Sequence, residues 1–129
     1  MALVAVMGLS GCGGKDVPQD NRMHVFTEIH DMHRCTRISP EIKVTNPPAD
    51  TGYYSVRLDR VGEISRYQGG GTWRFNGVVE EGINTIPEGA LTQNYRGPCE
   101  SGRYRLTVSA LKRGESEPLD VSSYTFDVQ

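Results

Sequence analysis

The sequence lacks the features that catalysis, nucleic-acid binding or membrane spanning require. Sixteen acidic and 14 basic side chains give a formal charge of −2, which argues against a nucleic-acid binder because phosphate neutralisation needs a concentrated basic surface. There is no nucleophile elbow, and no serine has a histidine at a recognisable spacing. The sequence therefore predicts a protein that is not an enzyme and has no cofactor.

Long apolar segments are also lacking, and the one strongly apolar run, ALVAVMGL (2–9), is followed by Ser10, Gly11 and Cys12. Eight residues are too few for a membrane-crossing helix, which needs about 20, so the run is typical of the apolar core of a secretory signal. The order Leu-Ser-Gly-Cys resembles the bacterial lipobox, in which the cysteine is acylated. No Lys or Arg precedes the run, so we expect translation to start upstream of Met1. The alternative is an apolar N-terminus with an unmodified cysteine.

Acylation at Cys12 would divide the chain into a signal peptide (1–11), a flexible polar tether (12–22) and one domain (23–129). The acyl chains, palmitate among them, would then be the membrane attachment of a periplasmic lipoprotein. Gly13 follows the cysteine where an inner-membrane retention signal commonly shows aspartate. This favours the outer membrane over the inner one.

Cysteine is scarce, and once Cys12 carries lipid only Cys35 and Cys99 remain. Exported proteins fold where thiols are oxidised, so we predict that these two form a disulfide. On the chain-entropy model such a bond would stabilise the fold by about 4 kcal/mol. Two buried free thiols are the alternative.

Apolar residues alternate with polar ones at a period of two, as in half-buried strands. Such runs are EIKVT (41–45), YSVRL (54–58) and YTFDV (124–128), and the clearest case is YRLTVSA (104–110). The turn-forming sequences NPP (46–48), GGG (69–71) and PEG (87–89) separate such runs, and we predict chain reversals there. No window supports a helix longer than a turn or two. The pattern predicts an all-β fold, a β-sandwich of two antiparallel sheets.

Five segments in order resemble a known family. They are ISPEI (38–42), NPPADT (46–51), Trp73 after the glycines, IPEGA (86–90), and YRGPC (95–99) with the GRYRLTVSAL strand (102–111). The sequence resembles the phosphatidylethanolamine-binding proteins, in particular their bacterial Raf-kinase-inhibitor-like branch. The resemblance covers roughly residues 29 to 112. It implies a β-sandwich with a small anion pocket at one end.

The family pocket uses an aspartate, two histidines and a tyrosine, and the resemblance carries these positions to other side chains. The aspartate falls on Asp59 or Arg60, the first histidine on Thr72, and the second on Gly102 or Arg103. Arginine binds carboxylate or phosphate through its planar fork, so we predict an anionic ligand. Solvated arginines that bind nothing are the alternative. The predicted ligand-binding residues are Asp59, Arg60, Thr72, Trp73, Tyr95, Arg96, Gly97, Pro98, Arg103 and Tyr104.

The most favoured function is thus a membrane-anchored binding module that recognises a small phosphate- or carboxylate-bearing ligand or an envelope protein. One alternative is an immunoglobulin-like structural or envelope-assembly domain without a ligand. A second is periplasmic copper or zinc binding through His24, His30 and His33, near Met32 and Cys35, since these are soft and borderline ligands. Surface histidines without a metal are the simpler explanation.

Overall fold

The computed structural model describes residues 21–129, in which seven β-strands and one 3-10 turn, Asp31–His33, are present. The strands are β1 (His24–Thr27), β2 (Ile42–Thr45), β3 (Tyr53–Val61), β4 (Arg66–Arg74), β5 (Ile83–Ile86), β6 (Gly102–Leu111) and β7 (Asp120–Val128). The predicted signal peptide and the lipidation site at Cys12 lie outside the described residues. Within them, no helix is long and apolar enough to span a membrane.

The strands form two antiparallel sheets, which confirms the predicted all-β sandwich. The small sheet has the order β1-β2-β5, and the large sheet has the order β4-β3-β6-β7. In β6 every second side chain from Tyr104 to Ala110 is buried, as the alternation predicted. The same inward spacing places Ile42 and Val44 of the small sheet in the core. Each such side chain contributes about 1.5–3 kcal/mol relative to an exposed one.

A buried hydrogen bond joins the two sheets within this core. The Tyr54 hydroxyl of β3 donates to Oδ1 of Asn84 in β5 over 2.7 Å, and both side chains are fully buried. Asn84 Nδ2 in turn donates to the carbonyl of Val78 and to Oδ1 of Asn76. The amide is therefore fully used, which removes the cost of burying it without partners.

The predicted chain reversal at residues 69–71 is wrong, because all three glycines lie inside β4. Gly69 adopts a φ of 147°, and a Cβ there would lie 2.5 Å from the Asn94 carbonyl oxygen. A β-bulge separates Leu58 from Asp59 in the neighbouring strand. The glycines thus serve close approach of another backbone segment rather than a turn.

The chain joins the fold at Met23, beside the first residue of β7. The Met23 backbone N–H donates to Asp120 Oδ2 over 2.9 Å, and the Met23 side chain is buried in the core. Asp120 pairs with Ala110 near the end of β6. Met23 therefore lies at the end of the large sheet where β6 finishes and β7 begins.

Candidate functional site

The predicted anion site does not assemble at one end of the sandwich, which corrects the expectation from the sequence. Thr72 pairs with Ser55 near the start of β3, whereas Tyr104 pairs with Arg60 near its end. Five residues of extended strand separate Ser55 from Arg60, a distance of about 16 Å. Thr72 and Trp73 thus belong to one end of the large sheet, and Arg60 and Tyr104 belong to the other.

The predicted arginines also fail to converge. Arg60 is opposite Tyr104, on the core side of the sheet, whereas Arg103 is opposite Val61, on the outward side. Arg60 is ion-paired with Glu100 and donates to the Ser101 carbonyl. Neighbouring residues of a strand point to opposite faces, so these two guanidinium groups cannot close on one ligand.

Two outward-facing charged residues of the predicted set, Arg103 and Asp59, are already ion-paired within the protein. Arg103 Nε donates to Asp127 Oδ1 over 3.0 Å, and this hydrogen bond raises the pKa of Arg103 above its usual value. Asp59 accepts from Arg57 Nε at 2.9 Å through both carboxylate oxygens. Arg96 is exposed on the loop that follows Tyr95.

The predicted aromatic residues are core residues. Trp73 stacks on Tyr54 with ring centroids 6.3 Å apart, and the Tyr104 hydroxyl donates to the Glu100 carbonyl over 2.8 Å. Tyr95 is 3% exposed, its hydroxyl has no hydrogen-bond partner, and burial raises the pKa of this phenol. These rings pack in or against the core, and the Tyr104 hydroxyl is hydrogen-bonded within the protein.

The YRGPC loop (95–99) fixes the turn that contains His33. The predicted disulfide is confirmed, with Cys35 bonded to Cys99. Beside it the Gly97 N–H donates to the Thr36 carbonyl over 2.9 Å, and a Cβ on Gly97 would lie 1.8 Å from the His33 carbonyl oxygen. The loop that the family resemblance singled out thus holds another segment in place through its backbone.

That turn borders an open cleft of about 290 Å³ over the outward side of the small sheet, which we call the His33 cleft. The sequence analysis assigned no binding role to most of the residues around it. The cleft is lined by Phe26, Thr27, Glu28, His30, His33, Glu41, Lys43 and Glu88.

His33 is held through both ring nitrogens. Its side chain is 1% exposed, Nδ1 accepts from the His30 backbone N–H over 2.9 Å, and Nε2 lies 2.7 Å from Glu88 Oε2. Because a backbone N–H can only donate, the ring hydrogen belongs on Nε2, which donates to the Glu88 carboxylate. The result is a neutral imidazole that orients a carboxylate at the edge of the cleft.

Ser39 fixes the segment that follows Glu88. Its carbonyl accepts from the Gly89 N–H over 2.8 Å, and its hydroxyl accepts from the Leu91 N–H over 3.1 Å. On the other side of the cleft the Thr27 hydroxyl donates to the Glu41 carbonyl over 2.8 Å. The carboxylates of Glu41 and Glu88 are therefore attached to ordered backbone.

The cleft is acidic, with one positive group. Glu28, Glu41 and Glu88 contribute three carboxylates, and Lys43 contributes one ammonium. Carboxylates accept hydrogen bonds from an ammonium or guanidinium group, and lysine donates to phosphate or carboxylate. The cleft is thus suited to a small ligand that carries charges of both signs, with the positive charge facing the glutamates.

The metal-binding alternative finds no support in the part of the chain from residue 21 onwards. It contains no group of three His, Cys, Asp or Glu side chains placed to hold a metal ion. Cys35 is in the disulfide, and both nitrogens of His33 have protein partners. His30 and His33 do lie close together, with ring centroids 5.5 Å apart.

Part of this cleft could have been found from the sequence. The alternation around Ile42 and Val44 already places Glu41 and Lys43 on the outward side of β2. The PEG turn that contains Glu88 was recognised as a turn. The contact between Glu88 and His33 joins positions 55 residues apart, and no local pattern indicates such a pairing.

Comparisons with known proteins support the fold alone. No family model matches the chain, and no curated protein matches it. Among solved structures, the chain is similar to a crystal structure of a candidate phosphatidylethanolamine-binding protein homolog from Chlamydia trachomatis, with a TM-score of 0.64 and 13% sequence identity. The similarity covers 85% of this chain and 99% of that one. The protein therefore has a fold like that of a phosphatidylethanolamine-binding protein homolog.

Proposed function

We propose that the protein is a lipid-anchored binding module of the bacterial cell envelope and that it holds a small zwitterionic ligand in the His33 cleft. One observation carries the ligand proposal. A buried imidazole, fixed through both nitrogens, is hydrogen-bonded to the half-exposed carboxylate of Glu88 at an open cleft. Such a preorganised acceptor loses little conformational entropy when an ammonium group binds to it.

The size and charge of the cleft define the ligand class. A volume of about 290 Å³ is at the small end of the range for ligand pockets, so it fits a headgroup-sized molecule. Glu28 and Glu41 would accept from an ammonium group together with Glu88, and Lys43 would donate to a phosphate or carboxylate. The ligand still carries the phosphate or carboxylate that the sequence predicted, but Lys43 takes the place of the arginines as the partner of this anionic group.

The structural neighbour supports the choice of a probe. Its name refers to phosphatidylethanolamine, whose headgroup carries one ammonium and one phosphate. O-phosphoethanolamine, the water-soluble headgroup, is therefore a suitable test compound. Ethanolamine and inorganic phosphate are its two halves, and each can satisfy only one sign of charge in the cleft.

Binding can be tested by titration calorimetry on the purified full-length protein in detergent. We expect O-phosphoethanolamine to bind more tightly than either half. Lys43→Ala and Glu41→Gln should each lower its affinity about tenfold, since each removes one charge-assisted contact. Lys112→Ala, an exposed lysine outside the cleft, is the control. Equal affinity in the control and both cleft variants would refute the site.

The envelope location is supported by the lipobox-like sequence that ends at Cys12 and by the Cys35–Cys99 disulfide, because structural disulfides persist in oxidising compartments. Growth with a labelled palmitate precursor tests the anchor. The wild-type protein should carry label and fractionate with membranes, and Cys12→Ser should do neither. A cytoplasmic wild-type protein without label would contradict the proposal.

A further inference from the structure

The large sheet ends in a long strand, β7, that has a strand neighbour on one side only. Within residues 21–129, β7 is paired with β6 alone. All nine of its residues pair with β6 in one continuous register. Alternate backbone N–H and C=O groups of such an edge strand face away from the sheet, where a further strand can pair with them.

The other edge strands of the described residues have features that oppose such pairing. β1 and β5 of the small sheet have four residues each, and very short edges are poor templates for another strand. β4 contains three successive glycines, a β-bulge interrupts its register with β3, and the segment at residues 91–96 lies against it at Gly69. The sequence of β7, DVSSYTFDV, contains no glycine, proline, lysine or arginine. β7 is therefore the edge best suited to pair with another strand.

Aromatic side chains are only partly covered at this edge. Tyr124 and Phe126 point toward the core but are partly exposed, whereas their partners on β6, Leu106 and Tyr104, are buried. Phe26 of β1 is 43% exposed, and its ring lies edge-on to that of Tyr124 with 5.1 Å between the centroids. A strand added beside β7 would remove part of this apolar surface from water, which favours association.

Open space borders the second half of β7. A cleft of about 370 Å³, which we call the edge cleft, separates the segment at residues 27–34 from β7 and is lined on the β7 side by Tyr124, Phe126, Asp127, Val128 and Gln129. It shares Thr27 and Glu28 with the His33 cleft, whereas Glu41, Lys43 and Glu88 line the His33 cleft only. Pairing at the β7 edge does not depend on whether the His33 cleft binds a ligand.

We propose that two copies of the protein associate through antiparallel pairing of their β7 strands, so that two four-stranded sheets become one sheet of eight strands. A second copy is the partner because β7 is complementary to itself. In the register that pairs all nine residues, Tyr124 of one copy lies opposite Tyr124 of the other. The Phe26–Tyr124 ring pairs of the two copies then meet at the symmetry axis.

This register matches the two strands in both face and charge. Directly opposite side chains of an antiparallel pair point to the same face, so the core-facing side chains of one copy continue those of the other. Asp127 of one copy lies opposite Val121 of the other, and Asp120 lies opposite Val128, so no acidic side chain faces another. The same patch is used by both copies, and the assembly therefore closes at two.

The test measures the mass of the purified full-length protein by sedimentation equilibrium in density-matched detergent at low salt, over a series of concentrations. The wild type is compared with Val121→Asp, Val121→Lys and Thr72→Asp. Val121 and Thr72 are both exposed on the outward side of the large sheet, but Thr72 lies on β4, at the edge farthest from β7. Thermal midpoints check that each variant is folded, which is expected for exposed positions.

We expect a reversible equilibrium between monomer and dimer. Val121→Asp places an acid opposite Asp127 of the second copy, twice by symmetry, and should raise the dissociation constant of the dimer about tenfold, because like charges directly opposite destabilise a strand pair. Val121→Lys places the opposite charge there and should not weaken the dimer, and Thr72→Asp should leave the constant unchanged. A wild type that stays monomeric at millimolar concentration, or equal weakening by both Val121 variants, would overturn the proposal.

Cross-linking tests the register independently. Ser123 of one copy is expected opposite Thr125 of the other, with Cβ atoms about 5 Å apart, whereas two copies of either residue lie on a diagonal of about 7–8 Å. On mild oxidation, a mixture of Ser123→Cys and Thr125→Cys proteins should therefore form a disulfide-linked dimer faster than either variant alone. The parent protein without an added cysteine is the control. Equal rates for the mixture and the separate variants, or assemblies larger than a dimer, would overturn the proposal.

Discussion

The two outward surfaces of this sandwich are built in different ways. We call the outward side of the large sheet the basic face, since it carries Arg57, Arg74, Arg103 and Arg105 with Asp59 and Asp127. We call the outward side of the small sheet, with the segments at both ends of β5, the acidic face, since it carries Glu28, Glu41, Glu80, Glu81 and Glu88 with Lys43. On the large sheet, strands of nine or ten residues place every outward side chain by register. The small sheet has strands of four residues, and Glu28, Glu80 and Glu88 lie in the segments beyond them. The comparison teaches that one face follows from strand pairing alone, whereas the other depends on how connecting segments are fixed.

Those segments are fixed by contacts between residues far apart in sequence. The Cys35–Cys99 bond has a sequence separation of 64, and Gly97 fits against the His33 carbonyl. The basic face has no comparable attachment in the described residues. Substitutions in the attachments of the acidic face should therefore have large effects, and substitutions on the basic face should have small ones.

The largest effect is expected from breaking the disulfide. Replacing both Cys35 and Cys99 by serine should lower the free energy of unfolding by about 4 kcal/mol, because the unfolded chain regains the entropy of an open loop. Urea unfolding under oxidising conditions measures the loss. Cys12→Ser is the control and should leave the unfolding midpoint unchanged. Equal midpoints for the double variant and the control would contradict the comparison.

Gly97→Ala should destabilise the protein by about 3 kcal/mol, because the added Cβ would overlap the His33 carbonyl and push the turn away from the loop. Affinity for O-phosphoethanolamine should fall in parallel. Gly62→Ala is matched in chemistry but has its nearest atom 3.8 Å from the new Cβ. If both variants unfold at the same urea concentration, the loop does not restrain the turn.

Tyr54→Phe tests the buried hydrogen bond between Tyr54 and Asn84 that joins the two sheets. It should cost about 1–3 kcal/mol, since Oδ1 of the buried Asn84 loses its donor. Tyr95→Phe is the control, because that hydroxyl has no partner to lose and its removal should be neutral or slightly stabilising. Thermal unfolding ranks the pair, and the reverse order would show that the bridge does not stabilise the sandwich.

Alkaline pH should lower the stability of the folded protein through two buried phenols of the core, Tyr54 and Tyr95. Burial raises the pKa of Tyr54 and of Tyr95 above the ordinary value of 10.0. A raised phenol pKa means that the folded state keeps the proton, so the associated stability is present below pH 10 and is lost as the pH rises further. Urea midpoints should fall above about pH 10, and less so in a Tyr54→Phe/Tyr95→Phe variant. Identical pH profiles would contradict this.

The smallest effect is expected on the basic face. Arg103→Gln removes an exposed ion pair with Asp127, whose side chains are 61% and 55% exposed, and such pairs are screened by water and salt. We expect no measurable change in the thermal midpoint. A clear fall would show that the charges of this face stabilise the large sheet in addition to marking its surface.

The parts of the fold that follow from local pattern were predictable from the sequence. A period of two located β2, β3, β6 and β7, because a half-buried strand must alternate apolar and polar side chains. The GGG sequence (69–71) misled the analysis, since glycine serves turns and close backbone approach equally well. What distinguishes the two uses is the segment at residues 91–96, which only the folded structure brings into contact.

The predicted ligand site was limited by the same difficulty. The resemblance placed Thr72 and Tyr104 in one pocket, but strand register separates them along β3. The Cys35–Cys99 pair was predictable because cysteine has one dominant partner in an oxidising compartment. The Glu88 carboxylate has many possible partners, so its pairing with His33 could not be chosen from the sequence.

The glycines of β4 have a consequence for the evolution of this fold. At Gly69 and Gly70 any side chain would overlap main-chain atoms of Asn94 or Val56, so the contact depends on atoms that every amino acid shares. A smaller side chain in β3 or at residues 91–96 cannot make room for a substitution there, because shortening a side chain does not move the carbonyl oxygen of that residue. Lineages descended from this protein are expected to retain glycine at both positions while the surrounding surface diverges.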